Sequence, residues 1–154
     1  MVRALAAVIL GYLGMALWVM MALGIAWQLL GEDFAVDPQT NRATAAWIAL
    51  NLPLSFLGAL LGGWLTASIA RAKADSAVRA LASLVVVLGL AMAFTTTFRD
   101  DSTPQVAEDV EQPSSADSTM MQAEQPVWYT FLVPFVGLAG VMIGGTIRRR
   151  ASSS

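Results

Sequence analysis

Histidine and cysteine are both absent from this chain of 154 residues. Without imidazole or thiolate there are no ligands for bis-histidine haem, for the usual zinc sites or for thiolate clusters, no disulfide, and no Cys- or His-centred catalysis. The absence of thiols leaves the redox compartment open. Charge is scarce as well: 13% of residues are charged and 56% are hydrophobic, against roughly 25% and 45 to 50% in soluble domains. A membrane class is the first expectation. The length fits one compact helical unit and no separate soluble domain. Nor does any Asp, Glu, Lys or Arg lie in the interior of a long apolar run, Arg79 standing at the edge of one, so a proton relay, voltage sensor or charge-coupled transporter lacks its working parts.

What remains is four apolar runs, at about residues 4–30, 44–70, 77–98 and 127–147. Each meets the roughly 20 residues that a membrane helix needs. The expected fold is therefore all-α, a four-helix transmembrane bundle. A cleaved signal peptide competes for the first run, with Arg3 as its basic start, but a signal core holds only about 7 to 15 apolar residues. The third run contains VVVLGL, whose β-branched residues suit a strand in water; its length and lack of alternation favour a helix in lipid. Asp75 or Ser76 is the expected N-cap there.

The few charges are sorted. Arg3, Arg71, Lys73, Arg79, Arg148, Arg149 and Arg150 fall on one side of the inferred barrier, with Arg42 and Arg99 on the other. By the positive-inside rule both termini are cytoplasmic, and Arg71, Lys73, Arg79 and the 148–150 triplet are the topology anchors. Trp27, Trp47, Trp128 and Tyr129 fall at the outer ends, where an interfacial aromatic belt is expected. The stretch 99–126 is an acidic extracytoplasmic loop. Its first half has too little apolar surface to offset the entropy of ordering, and its second half offers a short helix ended by Pro126. Its carboxylates lack EF-hand spacing and a glycine turn, so a solvated linker is expected rather than a calcium site. Met120 and Met121, soft ligands without histidine support, are expected to dock on the bundle. The arginine triplet carries the chemistry for anionic lipid headgroups but serves first as an anchor. Three arginines imply no nucleic-acid role.

Small residues supply the packing signal. Gly58 and Gly62 form one GxxxG, Gly140 and Gly144 another; in lipid, close backbone approach through such residues drives association. The glycine faces are expected within the bundle, with a contact between protomers as the alternative. Pro53 and Pro134 each free a carbonyl one turn back, and Gln28, Asn51, Ser55 and Thr130 lie near enough to satisfy these kinks. The sharper alternative makes those four polar residues line a cavity open to the outside. Spans two and four also share a pattern, with Pro53, Gly62-Gly63 and Arg71 set against Pro134, Gly144-Gly145 and Arg148. Either a duplicated helical hairpin or the shared composition of apolar helices explains it.

GYLGMAL in the first run, GALLGGWLTASIAR in the second and MQAEQPVWYTFLVPFVGLAGVMIGG leading into the fourth resemble a loose set of small four-span bacterial membrane proteins with no assigned activity. That resemblance implies a bacterial inner-membrane setting and no catalytic residue. The expected function is a structural or accessory subunit, not an enzyme, without cofactor or metal. Its expected partners are the lipid bilayer and either itself or a larger membrane complex. A small permease or pore with a cavity near Asn51 and Pro53 is the alternative.

Overall fold

The computed structural model describes residues 2–37, 39–40, 42–97 and 126–151. Five helices carry the chain: α1 (Val2–Leu30), the single turn α2 (Glu32–Ala35), α3 (Ala45–Ala70), α4 (Ala74–Thr97) and α5 (Val127–Ala151). Four are long and apolar enough to cross a membrane, and the protein is an all-α, multi-pass membrane protein. The acidic stretch with its expected short helix, Met120 and Met121 lies outside the described residues.

α3 packs against α1, α4 and α5, and α4 packs against α1, α3 and α5, so α1 and α5 stand at opposite corners. Only 6% of the apolar part of α1 is buried, against 28% in each other long helix, which makes α1 the peripheral member. The deepest core lies where α3, α4 and α5 meet, around Ala59, Ala67, Val78, Leu81 and Val141. Large apolar side chains instead point outwards along every helix, among them Leu13, Leu17 and Met20 of α1, Val87 of α4 and Phe135 of α5. Outward apolar and inward small residues are the arrangement expected where the solvent is hydrocarbon.

The link between α1 and α3 folds over their shared end. Val36–Asp37 pairs antiparallel with Arg42–Ala43. Thr44 fastens this ribbon to the helix it caps: its hydroxyl donates to the Phe34 carbonyl and accepts from the Trp47 N–H at 3.1 Å. Trp47 then packs edge-on against Trp27 at 5.9 Å, with Ala35 and Val36 buried beside it. The Gln39 N–H donates to Asp37 at 2.9 Å. That bond, followed by one from the Thr40 side chain, holds the Asp37 carboxyl below its ordinary pKa. Its contribution to the turn is therefore present above the ordinary carboxylate range and is lost as pH falls through the lowered value.

One expectation is corrected and two are refined. α4 begins at Ala74, directly after a 3-10 turn at Arg71–Lys73, so Asp75 and Ser76 lie inside its first turn and neither is an N-cap. α5 runs on through Arg148, Arg149 and Arg150 to Ala151, because arginine is a good helix former and its long side chain reaches the interface from within the last turn. The aromatic belt is half core: Trp47 and Tyr129 are 7% and 4% exposed, whereas Trp128 is 59% exposed.

The tight α3–α4 connection has one strained residue. Arg71 adopts φ 48 and ψ −108 while its N–H closes onto the Ala67 carbonyl, a backbone conformation that favours glycine. Arg71→Gly is expected to raise the unfolding midpoint in detergent, by about 1 kcal/mol of relieved strain. An unchanged or lower midpoint would contradict this.

Candidate functional site

The candidate site is the pair of seams on either side of α3, where backbone meets backbone. Gly58 and Gly62 face α1: a Cβ built on Gly62 would sit 3.0 Å from the Gly11 carbonyl oxygen, and one on Gly58 would sit 2.9 Å from Trp18. The neighbouring Gly63 faces the other way, against the Val141 backbone of α5. Two adjacent glycines thus let one helix approach two neighbours at once. α5 does the same, with Gly144 on the Leu60 backbone of α3 and Gly145 on Val78 of α4.

The two GxxxG sequences do not face each other. Gly140 meets Ala59, where a Cβ would lie 2.6 Å from that of the alanine. The α3–α5 seam therefore pairs Gly140 and Gly144 with Ala59 and Gly63. This pairing is reciprocal: Gly63 touches Val141 while Gly144 touches Leu60. Exchanging the helices maps one contact onto the other, as a local two-fold axis along two parallel helices requires. The register that equates Ala59 with Gly140 also equates Trp47 with Trp128, Pro53 with Pro134 and Gly63 with Gly144. The two-fold stops at this seam. Pro134 is buried against Gly89 of α4, whereas Pro53 is exposed.

No sequence motif marks Ala59, and Gly63 stands out only as half of a Gly-Gly pair. The matched tryptophan and proline carry the true register, which lies one residue away from the match between the Gly-Gly pairs.

The polar residues are distributed along the α1–α3 seam and towards the end opposite the clustered cations. Thr66 is fully buried, donating to the Gly62 carbonyl at 2.8 Å and lying 3.3 Å from the Ala7 carbonyl. Ser55 donates to the Asn51 side-chain oxygen at 2.9 Å, so these two partner each other along α3; the expected Ser55 bond to a kink carbonyl is not the one made. Gln28 is exposed at the end of α1, and Thr130 is half-buried on α5. No hydrogen bond joins Gln28 or Thr130 to the Asn51–Ser55 pair among the described residues. The Trp18 indole N–H is buried without an acceptor among them.

At the opposite end the cations are fixed by specific bonds. Arg148 donates through Nε to the Ser68 hydroxyl at 2.9 Å, and Arg3 donates through Nε to the Ile69 carbonyl at 3.2 Å. Arg149 pairs with Asp75 of α4 and reaches the Thr146 hydroxyl at 3.2 Å. Arg71, Lys73, Arg79 and Arg150 are exposed. All seven cations thus gather at the end where α1 starts, α3 passes to α4 and α5 closes.

No family model matches the chain, and neither a curated protein nor a solved structure is similar to it.

Glycine-to-alanine substitutions rank these contacts. Gly63→Ala and Gly144→Ala meet immovable backbone and should cost roughly 1 to 3 kcal/mol or more. Gly62→Ala should cost less, and Gly24→Ala, with nothing within 4 Å, nothing. Melting in detergent checks the order; equal midpoints for Gly24→Ala and Gly63→Ala would contradict it.

Proposed function

We propose that this protein is a structural or accessory subunit of a bacterial inner membrane, with both termini and the basic end in the cytoplasm. The observation that carries the reading is where the small residues sit: Gly58, Gly62, Gly63, Gly140 and Gly144 all meet helices of the same chain. Such a core forms a self-contained scaffold, and in lipid that scaffold is held by close packing and not by burial of apolar surface. The broad apolar exterior then remains for lipid and for a partner. Orientation rests on the seven cations at one end, one of which, Arg149, pairs with Asp75.

The competing reading is a small permease or pore, for which the Asn51–Ser55 pair and the unpartnered Trp18 N–H are the relevant polar groups. It lacks ionisable groups inside the spans, so it would carry an uncharged solute and no coupling ion.

Affinity purification from native membranes in a mild detergent separates the two. A reproducible stoichiometric partner or a homo-oligomer is expected. A lone monomer in several detergents, with solute flux in proteoliposomes that is abolished by Asn51→Leu, would replace the accessory role with the permease.

A further inference from the structure

The last turn of α3 brings together cations whose bonding goes beyond their part in topology. Arg3 arrives from α1 and Arg148 from α5, the two corners of the bundle that do not pack on each other, and they bond successive residues of α3, Ile69 and Ser68. Each spends only its Nε on the protein. Their terminal nitrogens, the forked donors that match a phosphate bidentately, have no partner among the described residues. Arg71, one turn on from Ser68 and held at its positive φ, is exposed. The one carboxylate at this end, Asp75, is paired with Arg149.

Directly along the outward face of α3 from these arginines, the surface turns apolar. Trp64, Leu61 and Leu57 are 45%, 44% and 46% exposed, at helical spacings that line them up with Ser68 on one face. Ser68 donates to the Trp64 carbonyl at 2.8 Å while accepting from Arg148, which ties the polar and apolar halves together. A double-cation headgroup end continuous with a half-exposed tryptophan and two leucines has the layout of one phospholipid: anionic at the interface, acyl within.

We propose that this face of α3 is a specific binding site for an acidic phospholipid, with Arg3 and Arg148 holding the phosphate, Arg71 adding charge, and the acyl chain lying along Trp64, Leu61 and Leu57. It rests on the chain spanning a bilayer, and not on the accessory role or the orientation. Charge complementarity selects the ligand, since seven cations face one carboxylate here. Because the arginines are bonded to α3 by Nε, binding also braces α1 and α5 against the helix that joins them.

Purified protein reconstituted in phosphatidylcholine, with a minor fraction of dibrominated phosphatidylglycerol or dibrominated phosphatidylcholine, reads the site through quenching of tryptophan. Stronger quenching by the anionic lipid is expected, and Trp64→Phe should remove the difference. Arg3→Gln with Arg148→Gln should lower the preference for the anionic lipid roughly tenfold. Lys73→Gln with Arg79→Gln removes the same charge from the same end without touching α3's outward face, and should leave the preference intact. Circular dichroism checks that each variant keeps its helices. Equal quenching by the two lipids, or equal loss in both double variants, would overturn the site in favour of diffuse surface attraction. Abolition of the preference by millimolar inorganic phosphate would overturn it in favour of a free-anion site. A partner found or not found in purification changes none of these outcomes.

Discussion

In hydrocarbon, a leucine gains nothing by leaving lipid for another helix, so a bundle of apolar helices holds together only where backbones approach closely enough for dispersion and weak polar contacts to add up. The whole arrangement around α3 depends on that constraint. Gly62 and Gly63 point at different neighbours, and the consecutive glycines leave α3 thin on two sides at one depth. Any side chain there would push α1 or α5 away, and Thr66, whose hydroxyl bonds the Gly62 carbonyl and lies near that of Ala7, would lose its place. Packing and polar satisfaction are thus one problem at this level of the bundle. The cost is visible at the surface, where many large apolar residues of every long helix are left to the solvent, as suits a protein whose solvent is lipid.

The α3–α5 seam has the symmetry of a parallel homodimer written into one chain. Its contacts exchange under a local two-fold, and Trp47, Pro53 and Gly63 find counterparts in Trp128, Pro134 and Gly144. The partners attached to it break that symmetry. α4 covers the proline face of α5 through Gly89, while the equivalent face of α3 stays open and carries Trp64 at the cationic end. That open face is the one surface of α3 on which arginines from two other helices converge.

Much of this was legible in the residues. The four spans stand out because charge is so rare that each run is bounded by it, and the cations sort to one end in the structure as in the chain. Helix ends were less legible. The runs were closed at the first charge, yet α5 carries its arginines within its last turn, and α4 starts before Asp75 because the 3-10 turn feeds directly into it. Direction was the harder matter: a glycine stripe says that a helix approaches, not which one. Gly58 and Gly62 serve α1, and the residues that pair with Gly140 and Gly144 include an alanine, Ala59, that no glycine motif picks out. Asn51 and Ser55 bond each other along α3, while Gln28 and Thr130 share their depth in the sequence without a hydrogen bond to that pair among the described residues, since linear spacing fixes level and leaves rotation about the helix axis free.

The chain has no cysteine, so paired cysteines test the central claim, that these seams close within one chain, without background. Ala7 and Ala70 pack together across α1 and α3, and Ala59 and Val141 belong to one cluster across α3 and α5. Cysteines placed at either pair and oxidised in native membranes should give a disulfide within the monomer, seen as faster migration under non-reducing conditions. Crosslinked dimers in place of that band would mean that the glycine faces join separate copies.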